Sequence, residues 1–306
     1  MATPNTVLAD INEIYTGYVL NNNKWYSTEA KVQYNKRVKE AQPDEVADAI
    51  GKAKVMAIEF LKWAKAHGYR GGVRGVWWTA RPNSMSSAFG EPVDQKKNPT
   101  DILIQFATGH GPGKGFLGLS AKATKGKGDI GFKNPGIGTV DRNLGLKMAE
   151  AYKKELKRTV EKLDLPQTDS KRKLYIRENS GIKVHTERIG VQILSKMREV
   201  LFIKLQKMKQ PALRKYLLSD WMDAEVLVPP YIKVTGKGNK APYSAAVMDP
   251  INNPKLAAIS AHEIKLEKVG NESIGVCAGN KRIMKIRFKF ESEKMASSLK
   301  LSGDPW

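Results

Sequence analysis

A single cysteine, Cys277, stands in the 306-residue chain, which excludes an internal disulfide and any zinc centre built on thiolates. A small, buried hydrophobe is the role expected of it. The four histidines, His67, His110, His185 and His262, lie far apart without metal-ligand spacing. None forms a triad with a serine, so nucleophilic hydrolase chemistry has no support. No apolar run is long enough to span a bilayer, and no lipidation signal is present. The opening stretch, MATPNTVLADINEIY, lacks the basic and apolar regions of a secretory signal, which sets the expectation of a cytoplasmic protein that avoids membranes. Acidic residues are also in short supply, 31 against 52 lysines and arginines, for a formal charge of +21. That excess favours a polyanionic partner, nucleic acid first, because lysine and arginine neutralise phosphates and release their counterions.

What is present is enough apolar sequence, 41% of residues, to build a substantial core. In TVLADINEIYTGYVLNNNKW, Val7, Leu8, Ile11, Ile14, Tyr15, Tyr18 and Val19 recur every three or four positions, which predicts an amphipathic helix ended by Asn21–Asn23. PDEVADAIGKAKVMAIEFLKWAKAHG predicts another, with Pro43 in its first turn and Gly68 as its stop, and a polar helical stretch lies between them. From Gly71 the period changes. GGVRGVWWTA, TDILIQF and GFLGLSAKAT are short, β-branched or aromatic runs separated by Gly, Pro and Asn, and they predict three strands. A helix is expected over Val140 to Lys162, then further basic helices with a loop around Pro166 to Ser170, and strands again beyond Pro229-Pro230. The pattern predicts an α/β (α+β) fold: a mixed central sheet flanked by helices, a basic helical segment, and a C-terminal β-rich part. The expected division is 1–222 and 223–306, with the boundary in Asp223–Pro230.

Two of the predicted strands carry a charge. Asp101 opens Ile102-Leu103-Ile104, and Lys122 sits within Leu117-Gly118-Leu119-Ser120-Ala121-Lys122-Ala123. A hard cation such as Mg²⁺ takes oxygen ligands, often one or two carboxylates, and keeps several waters. A neighbouring lysine can orient an attacking water and offset charge on a scissile phosphate, so the pair suits metal-assisted phosphodiester hydrolysis.

Asp101 after Pro99-Thr100, followed by Ser120-Ala121-Lys122 on the next strand, resembles the PD-(D/E)XK nuclease superfamily in a form with Ser-x-Lys in place of Glu-x-Lys. The stretches VWWTARPNSM, NPTDILI, GLSAKAT and NPGIG, with the closing IRFKFESEKMASSLKLSG, also resemble a group of tailed-phage proteins, so the likeness extends over most of the chain. The resemblance implies a restriction-endonuclease-like core of helix, three-stranded meander, helix and further strand. It also implies Mg²⁺ or Mn²⁺ as cofactor and DNA, ahead of RNA, as substrate. By it, Asp101 is the central metal ligand, the Ala121 carbonyl a second, and Lys122 the catalytic lysine. A glutamate from the first helix completes the set, with Glu13 the choice and Glu59 the runner-up. Ser120 is the departure, since a neutral hydroxyl is a weaker ligand than a carboxylate. A phage origin would place the protein in the host cytoplasm or in the virion.

Other segments carry less. GHGPGKG has the wrong spacing for a phosphate-binding loop and reads as a hairpin turn. Lys125, Lys127 and Lys133, beside glycines, are candidate phosphate contacts, equally readable as a solvated turn. Trp77 and Trp78 should place one indole in the core and one on the opposite face of the strand, where base stacking is the lesser reading, and Arg81 is read as an ordinary surface residue ahead of one that faces the cleft. Lys154, Lys157, Arg158, Lys171, Arg172 and Lys173 on the basic helices are read as a phosphate-tracking surface. The alternative to an enzyme is a non-catalytic nucleic-acid-binding protein that keeps a degenerate nuclease fold for packaging, repair or inhibition of a host factor.

Overall fold

The computed structural model describes residues 4–95, 97–109, 113–126, 131–222, 224 and 227–306. The protein is a mixed α/β protein with two sheets, and its chain divides into two compact units that interleave in sequence. The first unit takes residues 1–130 and 226–251, the second 131–225 and 252–306.

In the first unit, α1 (Pro4–Leu20) buries Val7, Ile11, Ile14 and Leu20, the three-to-four spacing the sequence sets. Then α2 (Thr28–Glu40) starts on Ser27, whose Oγ accepts from the Ala30 amide at 3.0 Å. Pro43 opens α3 (Pro43–Ala66), Asp44 and Glu45 occupy its first turn, and Gly68 follows it at φ +85°. Three strands come next: β1 (Arg70–Trp78), β2 (Ile102–Thr108) and β3 (Phe116–Thr124), with the short α4 (Ser84–Phe89) after β1. They form an antiparallel meander, Trp78 facing Ile102 and Ile102 facing Leu119. The turn from β2 to β3 passes through Gly115 at φ +86°, where a Cβ would lie 2.9 Å from the Phe106 carbonyl.

When the chain returns, β4 (Tyr231–Lys237) pairs parallel with β3, and β5 (Ser244–Met248) closes the five-stranded sheet in the order β1-β2-β3-β4-β5. Ile102, Ile104, Leu117, Leu119, Ile232 and Val234 pack with Met56, Phe60 and Ala64 of α3 in the main core. Each such side chain contributes about 1.5–3 kcal/mol on full burial.

The second unit contains α5 (Ile137–Leu144), α6 (Met148–Lys162), α7 (Asp169–Glu178), α8 (Ser180–Gln206), α9 (Gln210–Tyr216) and a π-turn (Leu217–Trp221). After α10 (Pro254–Ala261) come β6 (Ile264–Val269), β7 (Ser273–Ala278), β8 (Lys281–Phe290) and β9 (Leu299–Pro305), an antiparallel sheet in that order.

Two expectations differ from this structure. The helix expected over Val140–Lys162 is two helices, broken at Gly145 with φ +64°, and the Asp141 carboxylate caps the second by accepting from Met148 N at 3.0 Å and Ala149 N at 2.7 Å. Continuous apolar spacing hides a break that one glycine and one aspartate create. The division at 222/223 also differs: the chain leaves the second unit within Asp223–Pro230, but residues 226–251 complete the first sheet instead of joining a C-terminal segment.

Candidate active site

Asp101 is fixed before its side chain does anything. Its amide donates to Leu119 O at 3.0 Å and its carbonyl accepts from Thr79 N at 3.1 Å, so both flanking strands hold the backbone. Buried Asn98 locks the approach: Nδ2 donates to Pro229 O at 3.0 Å, and Oδ1 accepts from Thr100 N and Oγ1 at 3.2 and 2.7 Å. Thr100 in turn lies so close to Gly118 that a Cβ there would stand 2.0 Å from Thr100 Oγ1. Only glycine fits at that point of β3.

The Asp101 carboxylate then gathers the three residues singled out on β3. Oδ2 accepts from Ala121 N at 2.8 Å, from Lys122 Nζ at 3.1 Å and from Ser120 Oγ at 3.3 Å. Ser120 is fully buried and orients Asp101 through this bond. Lys122, by contrast, is half exposed, with its ammonium open to solvent on one side.

Glu13 arrives from α1. Its Oε2 accepts from Trp78 Nε1 at 3.0 Å, and Trp78 is paired with Ile102, the residue after Asp101. Burial, and then the negative charge of Asp101, push the Glu13 carboxyl up to about 8, against the smaller opposing effects of Trp78 and Lys122. Glu59, the alternative, pairs instead with Lys62 at 3.7 Å on its own helix. A cavity of about 460 Å³ opens here, lined by Asn12, Glu13, Lys52, Ala121, Lys122 and Lys125 among others.

One member of the site is absent from the sequence reading. Lys233 of β4 lies beside Ser120 in the parallel register and is buried. Burial, with the nearby charge of Lys122 adding to it, lowers its ammonium to about 8. The signal was present in Tyr231-Ile232-Lys233-Val234, a lysine inside an apolar run, the same pattern that marks Lys122.

The remaining predicted contacts separate. Lys125 is exposed and lines the cavity, whereas Lys127 lies outside the described residues, as does His110. Lys133 and the helical cations belong to the second unit. Lys133 Nζ donates to Ser219 O at 2.8 Å, a structural use of its charge. Arg172 must be removed from the phosphate-tracking set: its side chain is 3% exposed, and it donates to the carbonyls of Ala296, Pro166 and Gln167 at 3.1, 3.0 and 2.9 Å and to Asp169. Lys154, Lys157, Arg158 and Lys171 are exposed, Lys157 and Arg158 in loose pairs with Glu161 and Glu155, and Lys173 is half-buried. The tryptophans also differ from expectation, since neither is fully buried; Trp77 packs on Phe116 while Trp78 serves Glu13. Arg81 is an exposed surface residue paired with Glu29. Cys277 is half-buried in β7, not fully buried.

Fold and site together define a mixed α/β protein that gathers the Asp101 and Glu13 carboxyls with Lys122 and Lys233 on and beside its first sheet. Comparison with protein-family models and with curated proteins gives no match to this chain. Among the described residues no helix is long and apolar enough to cross a membrane, and no three His, Cys, Asp or Glu side chains are grouped to hold a metal ion.

Proposed function

We propose that the protein is a metal-dependent nuclease of the PD-(D/E)XK type that hydrolyses phosphodiester bonds in DNA. The observation that carries this reading is the convergence of Ser120, Ala121 and Lys122 on the Asp101 carboxylate, with Glu13 brought from α1 and held by Trp78. The order along the chain supports it: helices, an antiparallel meander, the helices α5 to α9 of the second unit, and then a strand of the first unit parallel to the third. The resemblance expects a helix, a three-stranded meander, a helix and a further strand, and the formal charge of +21 suits a polyanionic substrate.

The donor set fits a divalent cation. Burial and the Asp101 charge raise the cost of ionising Glu13, a cost that a positive charge relieves, and Mg²⁺ characteristically takes one or two carboxylates. Asp101, Glu13 and the Ala121 carbonyl would hold it, and it would supply charge neutralisation at the scissile phosphate and a more acidic water. The chain's own residues do the rest. Asp101 and Glu13 would set where that positive charge stands relative to β3. Lys122, 3.1 Å from Asp101 and half open to solvent, hydrogen-bonds the incoming water and offsets the charge that builds as the water oxygen bonds phosphorus and the opposite P–O ester bond breaks, the water's proton passing to solvent and the departing ester oxygen taking one from it. Ser120 and the Ala121 amide hold the Asp101 carboxylate in place, so the loss of a carboxylate at position 120 leaves a positioning bond there.

Incubation of supercoiled, linear and single-stranded DNA, and of RNA, with the protein in Mg²⁺, Mn²⁺ or EDTA tests this. Metal-dependent cleavage is expected, on DNA before RNA. The second reading, a non-catalytic nucleic-acid-binding protein, is favoured by one observation, the neutral Ser120 where the superfamily places a carboxylate. It predicts no cleavage under any condition and salt-sensitive binding that persists in EDTA.

A further inference from the structure

Beside the outer edge of β1, the end strand of its sheet, lies a separate cavity of about 370 Å³. Three aromatic rings line it, Tyr26, Trp77 and Trp78, all half-buried, and the exposed Glu29–Arg81 ion pair is part of its wall. Two of the rings are seated on glycines. A Cβ on Gly75 would stand 2.2 Å from the Trp77 indole, and one on Gly17 would stand 2.7 Å from the Tyr26 ring, so close backbone approach holds both rings in place. The third ring links the cavity to the site: Trp78 donates to Glu13 at 3.0 Å and is paired with the residue after Asp101.

Size and chemistry narrow the occupant. Small-molecule sites run from roughly 300 to 1,000 Å³, so this cavity takes one planar group and not a length of folded chain. Aromatic faces beside an arginine are how proteins hold unstacked bases, because every base has a π-face and the guanidinium stacks or pairs with it. A base within a duplex is stacked and paired, and cannot enter. Resting on the nuclease reading above, we infer that the cavity holds one unpaired nucleobase of the strand being cut. The substrate class is therefore single-stranded or locally melted nucleic acid.

The test is binding in EDTA, where cleavage is not measured. A fluorescently labelled oligothymidylate is titrated with the protein and compared with an abasic strand of the same length and with a duplex at the same ionic strength. The natural strand is expected to bind about tenfold more tightly than the abasic one, the effect of stacking one base. It is also expected to bind more tightly than the duplex. Ser87→Trp, at an exposed residue lining the cavity, should fill it and bring the natural strand down to the affinity of the abasic one. Equal affinity of natural and abasic strands for the wild type overturns the base pocket while leaving the nuclease reading intact, and needs no variant to fold. A base preference that survives in a folded Ser87→Trp overturns it too. Failure to bind any strand overturns both this inference and the nucleic-acid reading beneath it.

Discussion

The two units treat charge in opposite ways. In the first, side chains that strands usually present to water are drawn inward: Ser120 and Lys233 are buried side by side on β3 and β4, and Asp101 is bonded from three directions. In the second, most cations of α6 and α7 stand in solvent; Lys157 and Arg158 pair with a glutamate one turn away, and Arg177 pairs with Glu293. Exposed pairs of that kind are worth at most about 1 kcal/mol. Arg172 is the exception, buried on a ring of backbone carbonyls. A count of lysines and arginines describes affinity for a polyanion. Only placement separates the cations that hold the fold from those that face a partner.

Substitutions sharpen this contrast. The largest effect on stability is expected at Arg172: replacement by Ala strands three carbonyls and should cost about 3 kcal/mol in urea unfolding, with no matching change in affinity of the folded protein for DNA. An Arg172→Ala protein of normal stability that had lost DNA binding would return this residue to the phosphate-contacting set.

Glu13 comes next, and its effect depends on pH. Its folded carboxyl titrates above its unfolded value, so folding favours the protonated form. The stability tied to it is present below the ordinary carboxyl range and is lost as pH rises through about 8. Glu13→Gln should therefore flatten the fall in Tm between pH 5 and pH 8 and raise stability at pH 8, by about 2 kcal/mol after allowance for a half-buried position. Adding Mg²⁺ at pH 8 should stabilise the wild type and leave Glu13→Gln unmoved. Unchanged melting curves for both proteins would remove Glu13 from the cation site.

The smallest effects belong to the solvated helices. Lys157→Ala and Arg158→Ala should each alter stability by less than about 0.5 kcal/mol. If these residues track phosphates, each removes about one counterion from the salt dependence of DNA binding, read as a shallower slope of log affinity against log salt. A slope identical to the wild type in the double variant would make α6 a purely solvated face.

How far the sequence reveals this arrangement depends on how local each feature is. Asp101 and Lys122 are legible because one opens and the other sits within a strand-like apolar segment, and the meander between them is a short-range pattern. Glu13 is legible only through the family resemblance, since nothing in DINEIYTGYVLN sets it apart from any helical glutamate. Lys233 carries the same mark as Lys122 but joins it through a parallel pairing, and the connection between β3 and β4 passes through α5 to α9 of the second unit. No periodicity reports such a crossover. Arg172 misleads for a related reason: SKRKLYIREN shows a basic helix, while the carbonyl of Ala296 that helps bury one of its arginines comes from the far end of the chain.

The most direct test of the Asp101–Lys122 site is the rate of DNA cleavage in Mg²⁺ by wild type, Asp101→Ala and Lys122→Ala, each first shown to be folded by circular dichroism. Metal-dependent cleavage by the wild type is expected, with a loss of about a hundredfold or more in each variant and DNA binding retained. Cleavage by Asp101→Ala at the wild-type rate, or a wild type that binds DNA tightly and never cuts it, would contradict it.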